Sequence, residues 1–152
     1  MQNHNTQFRP SNAFVGASWV SLFLGMGGYM IGLWNSTMAM NEKGFYFAIL
    51  VLGLFAAISL QKSVRDKLEG IRITGMYLNV CRTALALALL MLTVGLYNAT
   101  FELAVKGFYG MAYVFSLFAV VTCQKNVRDL ELFRAPADEF VASKDKAHQD
   151  PL

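Results

Sequence analysis

Charge is scarce in this sequence and missing altogether from four long parts of it. Asp, Glu, Lys and Arg make up 15% of the 152 residues, against about 25% in soluble domains. Residues 13–37, 44–60, 83–100 and 107–123 contain none of the four, in runs of 25, 17, 18 and 17 residues. A helix needs about 17 to 25 apolar residues to cross a bilayer core. A soluble helix of that length would need a polar face for water, and no such face is present in these runs. With 55% hydrophobic residues and a mean hydropathy of +0.41, an ordinary soluble domain is excluded and four membrane crossings are predicted.

Other absences narrow the function. None of the apolar runs holds an acidic residue, whereas proton-coupled carriers generally keep a titratable group at membrane depth. A small four-helix multidrug exporter, in particular, would carry a glutamate in its first helix. There are two cysteines, Cys81 and Cys123, too few for a disulfide framework; they read as free thiols used as small packing residues. The two histidines, His4 and His148, fall in polar tails. No phosphate-binding Gly-Lys loop, metal-ligand cluster or Ser/His/Asp set occurs. The expectation is a protein that is not an enzyme, with no catalytic residue, metal or cofactor.

What is present is a duplication. The stretch from Lys43-Gly44-Phe45-Tyr46 to Gln61-Lys62-Ser63-Val64-Arg65-Asp66 returns 63 residues later, as Lys106-Gly107-Phe108-Tyr109 to Gln124-Lys125-Asn126-Val127-Arg128-Asp129. Aligned without a gap, the two agree at 13 of 24 positions. Chance similarity between apolar segments would not reproduce a polar turn and a charged exit in register. The period exceeds the 20 to 50 residues or so of solenoid repeats, so each copy is a two-helix unit. The pairs Gly32-Leu33/Gly95-Leu96, Asn35/Asn98 and Thr37/Thr100 extend the repeat to the helix before each turn.

The predicted organisation is a polar tail over 1–12, repeat 1 over 13–66, a connector over 67–75, repeat 2 over 76–129 and a polar tail over 130–152. Ser11-Asn12 can cap the first helix. That first run is longer than a signal-peptide core of about 7 to 15 residues, and no clear small-x-small cleavage site follows it, so it reads as an uncleaved span. Short polar turns around Lys43-Gly44 and Lys106-Gly107 make each unit a helical hairpin. Two crossings per unit send both copies into the membrane in the same direction, related by a pseudo-twofold axis along the membrane normal. The fold class is therefore all-α and integral to the membrane: four helices as two tandem parallel hairpin repeats.

Four crossings put both termini and the connector on one side. That side holds Arg9, Lys62, Arg65, Lys67, Arg72, Arg82, Lys125, Arg128, Arg134, Lys144 and Lys146; the other holds Lys43 and Lys106. Eleven basic residues against two place the termini in the cytoplasm. The net charge of +3 then serves orientation and contact with anionic headgroups; no nucleic-acid motif accompanies it.

Three sets of residues stand out as candidate sites. The first is a small-residue face, Ser18, Ser21, Gly25, Gly28, Gly32 and Asn35 on the first helix, matched by Cys81, Ala84, Ala88, Met91, Gly95 and Asn98 on the third. Such faces allow close helix approach in lipid, and Asn35 and Asn98 at their ends are expected to bond between helices. The second is the pair of charged exits, Gln61, Lys62, Arg65 and Asp66 with Gln124, Lys125, Arg128 and Asp129. Lys62–Asp66 and Lys125–Asp129 are i,i+4 neighbours, and Arg65 could reach Asp129, and Arg128 Asp66, if the exits face each other. The alternative is that Lys and Arg snorkel to headgroups while Asp ends the helix. The third is the turns, where Lys43 and Lys106 could pair with Glu42 and Glu102, and where Trp34, Tyr97, Tyr46 and Tyr109 read as an aromatic belt. Arg82 has no counterpart in repeat 1 and is expected at the membrane interface.

Two hairpins, each with a Lys-Gly-Phe-Tyr turn and a Gln-Lys-x-Val-Arg-Asp exit, resemble the YiaA/YiaB family of bacterial inner-membrane proteins, defined by the YiaAB two-helix domain. The resemblance covers about residues 12–130. It implies the inner membrane of a Gram-negative bacterium and brings no activity or catalytic residue with it. The function expected is a non-enzymatic membrane component that associates with itself, a protein partner or lipid. The alternative is an oligomeric channel or small-solute facilitator, which would need several subunits.

Overall fold

A computed structural model describes the backbone of residues 10–149 and the side chains of residues 10–131; the tail over residues 1–9, with Arg9 and His4, lies outside it. Four helices make up the described chain: α1 (Asn12–Asn35), α2 (Met40–Leu68), α3 (Gly75–Asn98) and α4 (Leu103–Gln149). Residues 130–149 of the predicted C-terminal tail are thus a backbone continuation of α4, and residues 150–152 lie outside the described chain.

The helix ends follow local chemistry. Ser11 caps α1, its Oγ accepting from the Phe14 N–H at 3.2 Å. At the start of α2 the Glu42 carboxylate accepts from the Ala39 N–H at 3.0 Å, the acidic half of a capping box. At the end of α2, Gly70 takes φ +79°, a left-handed conformation that suits glycine. The Gly70 N–H reaches the Lys67 carbonyl at 3.3 Å, and the Ile71 N–H reaches that of Asp66 at 2.9 Å. These two bonds form a Schellman cap. Helix α2 therefore runs two residues beyond the Asp66 exit, and the connector to α3 shortens to Glu69–Thr74.

The repeats are interleaved. Helix α1 packs chiefly along α4 and α2 along α3; α2 and α4 meet in the middle, while α1–α2 and α3–α4 touch little. Each unit keeps the expected hairpin connection through its short turn, but its helices pack chiefly on those of the other repeat. Exchanging the repeats maps α1 onto α3 and α2 onto α4, so the two extensive interfaces are one interface made twice.

Close approach explains which surfaces pair. A Cβ on Gly32 would lie 3.1 Å from the Phe108 ring and 3.3 Å from the Tyr109 hydroxyl; on Gly95 it would lie 3.0 Å from Phe45 and 3.2 Å from the Tyr46 hydroxyl. Position 32 plus the 63-residue period is 95, and 45 and 46 become 108 and 109. A Cβ on Gly25 would meet Ser116 Oγ at 2.8 Å, and one on Gly53 would overlap the Tyr113 hydroxyl.

Each helix is long and apolar enough to cross a membrane over Asn12–Asn35, Met40–Leu68, Gly75–Asn98 and Leu103–Glu131. Large apolar side chains such as Leu24, Ile31, Phe55, Met111 and Phe118 are exposed around the bundle, a surface that suits lipid and not water. Polar side chains on these helices turn inward on their own backbone. Ser18, Ser63, Thr93, Ser116 and Thr122 each donate to the carbonyl four residues back, at 2.7 to 2.9 Å. That satisfies the hydroxyl without a partner helix, as hydrocarbon surroundings demand.

Candidate functional site: the paired charged exits

The exits converge at the connector end of the bundle because α2 and α4, which carry them, are the central pair of helices. Arg65 and Arg128 are largely enclosed, with 22% and 29% of their side chains exposed. Each guanidinium first meets the aspartate next to it in sequence: Arg65 to Asp66 at 3.4 Å and Arg128 to Asp129 at 3.2 Å.

The link between repeats is Glu69, one turn past Arg65 on the connector. Its Oε1 lies 2.8 Å from an Arg128 terminal nitrogen and 3.5 Å from Arg65 Nε. This replaces the expected crossed pairs: neither Arg65–Asp129 nor Arg128–Asp66 forms, and Lys62 and Lys125 are exposed without bridging to Asp66 or Asp129. The reason is reach. Each aspartate is held by its own neighbouring arginine, and the cross-repeat position is taken by a longer carboxylate from the connector. Position 69 has no acidic counterpart, since Leu132 stands 63 residues later. It could not be inferred from the repeat.

Among the described residues, four buried atoms at this end have no hydrogen-bond partner: Gln61 Oε1, Arg65 Nε, Gln124 Oε1 and Arg128 Nε, of which Arg65 Nε keeps only its ionic contact with Glu69. They are repeat equivalents, one acceptor and one donor from each copy. Leaving such groups unmade in a low-dielectric setting is costly. A polar group that both accepts and donates would satisfy a Gln–Arg pair one helical turn apart. The arrangement can therefore bind such a group. Beside it, an apolar groove of about 680 Å³ runs between α2, α3 and α4, with Gln61 and Arg65 on its rim.

Just inside the exits lies a second paired contact. Asn126 Nδ2 donates to Ser18 Oγ at 2.9 Å, and in the other repeat Ser63 Oγ and Cys81 Sγ sit 3.9 Å apart. Both cysteines are free and buried. Among the described residues the buried asparagine is thus Asn126, the variable position of the exit motif. Asn35 and Asn98, expected to bond between helices, are exposed and donate instead to Ile31 and Val94 of their own helices, each at 2.8 Å. They lie beyond the last close contact of their face, and their amides are taken up by their own helices. Of that face, Ser18, Gly25, Cys81 and Ala88 are buried, while Ser21, Gly28, Gly32, Ala84, Met91 and Gly95 are partly so.

The turn end also departs from expectation. Lys43 and Lys106 do not pair with Glu42 and Glu102; each Nζ donates to a backbone carbonyl nine residues back, Trp34 at 2.9 Å and Tyr97 at 3.2 Å. The lysines thus cap the C-termini of α1 and α3. Gly44 and Gly107 have open space around them. Trp34 and Tyr97 are exposed as a belt would be, but Tyr46 and Tyr109 are core residues, 4% and 2% exposed. With Tyr29 and Tyr113 they fill the bundle's centre, Tyr29 and Tyr109 edge to face at 5.4 Å and Tyr46 and Tyr109 stacked at 6.2 Å. Tyr29 donates to the Tyr46 carbonyl at 3.1 Å and Tyr113 to that of Ile49 at 3.3 Å. A signal for this was available: Tyr46, Ile49, Leu50, Gly53, Ala56 and Ala57 share one helical face. Arg82 is exposed on α3.

A twofold bundle of duplicated two-helix units with an apolar perimeter is a membrane protein built from one repeated domain. The chain belongs to the yiaA/B two helix domain family, whose domain matches it twice, at residues 14–66 and 77–129. It is 51% identical over 129 residues to "Inner membrane protein YiaA" of Escherichia coli (strain K12), covering 85% of this chain and 88% of that one. It is 37% identical over 62 residues to "Uncharacterized membrane protein YubF" of Bacillus subtilis (strain 168), covering 40% of this chain and 71% of that one. No solved structure matches it.

Proposed function

We propose that this protein is a non-enzymatic component of the bacterial inner membrane, crossing it four times with both termini and the connector in the cytoplasm. In this reading the paired exits are its working surface, where it holds lipid, a protein partner or further copies of itself. The observation that carries the reading is the set of four buried atoms on Gln61, Arg65, Gln124 and Arg128 that make no hydrogen bond among the described residues. Two helices that merely ended at a headgroup layer would turn these atoms to water. The eleven-to-two distribution of basic residues supports a cytoplasmic location for this end, and the inner-membrane relative in Escherichia coli supports the compartment. The basic excess serves orientation and headgroup contact, and nucleic acid has no part in the reading.

The tyrosine-filled centre argues against a solute route through a single chain. Native mass spectrometry of protein released from mild detergent tests the proposal. A monomer or small oligomer retaining a defined lipid or partner, lost on Arg65→Ala with Arg128→Ala, is the expected result. A closed ring of several chains, with solute flux after reconstitution, would replace this reading with an oligomeric channel.

A further inference from the structure

The turn end holds a pocket of about 420 Å³ between the start of α2 and the end of α3, walled by Phe45, Tyr46 and Phe101, with Asn41, Glu42 and Asn98 at its polar edge. We propose that this pocket binds an ammonium group, with the Glu42 carboxylate as its counter-charge and the three aromatic rings as its walls.

Three observations support this. Among the described residues, Glu42 is the one charged side chain lining the pocket. Its Oε2 takes the Ala39 N–H, which leaves Oε1 free for a ligand. The neighbouring Lys43 is engaged elsewhere, on the Trp34 carbonyl. The helix ends that meet here offset each other, the positive start of α2 against the negative end of α3, so the carboxylate sets the sign.

Aromatic faces beside a carboxylate favour a soft organic cation, and the volume lies within the range of small-molecule sites. A single carboxylate is too few ligands for a bare metal ion.

The duplication supplies an internal control. The equivalent location between α4 and α1 has Val105 in place of Glu42, Ala104 in place of Asn41 and Met38 in place of Phe101, while Phe108, Tyr109 and Asn35 match Phe45, Tyr46 and Asn98. The carboxylate, an amide and one aromatic wall are therefore present in one copy alone. Packing common to both copies does not account for them.

The ammonium could come from a free amine or from a lipid headgroup, and calorimetry on the full-length protein distinguishes these. In maltoside micelles, choline should bind saturably, and its neutral isostere 3,3-dimethylbutanol about tenfold or more weakly. Glu42→Gln, which keeps the cap on Ala39, should weaken choline by about tenfold, and Phe101→Met by about threefold, the latter read beside its unfolding midpoint because Phe101 also stacks on Tyr109. Glu102→Gln should change nothing. In nanodiscs, choline affinity that is lower with phosphatidylethanolamine than with phosphatidylglycerol assigns the site to a headgroup; equal affinity assigns it to a free amine. Absence of saturable choline binding in micelles and in phosphatidylglycerol discs overturns the proposal. So does equal binding of the neutral isostere, or a Glu42→Gln variant that binds as the parent does.

Discussion

Single methyl groups decide how these helices pair, because glycines stand where rings and hydroxyls from the facing helix arrive. Gly53→Ala would drive a Cβ into the Tyr113 hydroxyl. It should cost about 2 to 3 kcal/mol, as overpacking of a filled core does, seen as a lower unfolding midpoint in detergent. Gly32→Ala and Gly95→Ala meet equivalent rings at equivalent distances. Each should cost about 1 kcal/mol, and the two losses should match; Gly16→Ala and Gly27→Ala, with open space around them, should be near neutral. The asparagines make the opposite contrast. Asn126→Ala should lose about 1 to 2 kcal/mol, since it removes a buried bond to Ser18. Asn35→Ala and Asn98→Ala should stay within about 0.5 kcal/mol. The sequence could not rank these residues. A polar side chain at the end of a small-residue face reads as an inter-helix donor, yet whether a partner helix reaches that level depends on how the helices cross. Tyr46 and Tyr109 misread for a related reason: a tyrosine near a membrane boundary suits belt and core alike, and only the face it shares with Ile49, Leu50 and Gly53 separates the two.

Among the elements, the connector matters most to the exits, because its first residues both terminate α2 and link the repeats. Gly70 holds a left-handed conformation that a Cβ would strain, so Gly70→Ala should cost about 1 kcal/mol. Glu69 reaches Arg128 across the repeats. A double-mutant cycle on Glu69→Gln and Arg128→Gln should return a coupling of about 0.5 to 1 kcal/mol. The same cycle on Asp66→Asn and Arg128→Gln should return a smaller coupling, since that pair does not form and is joined only through Arg65 and Glu69. A coupled Asp66–Arg128 cycle with an additive Glu69–Arg128 cycle would show the exits arranged otherwise. The helices themselves were legible in the charge-free runs, as were the start of α1 at Ser11 and the two turns. The length of α2 was not, because its final turn continues through charged residues that also suit a connector, and the stop depends on one glycine.

At the scale of the whole molecule, duplication was plain from the register of polar residues, whereas partner choice was not. Two equivalent units can close as separate hairpins or exchange helices, and either arrangement satisfies a twofold symmetry. The structure exchanges them, with α1 on α4 and α3 on α2, so each unit alone leaves its glycine face facing nothing. The Bacillus relative matches over 62 residues, about the length of one repeat, which makes the independence of a single unit a pointed question. Cutting this chain in the connector, into residues 1–72 and 73–152, separates α1 from α4 and α2 from α3 without disturbing a helix. Co-expressed halves should assemble one to one and survive purification through a tag on the first half alone, because both extensive interfaces lie between the halves. Gly32→Ala with Gly95→Ala should weaken that assembly, since these glycines let Tyr109 and Tyr46 approach. Halves that purify apart as stable monomers would mean that each unit packs its own two helices together, and the exchanged arrangement would be wrong.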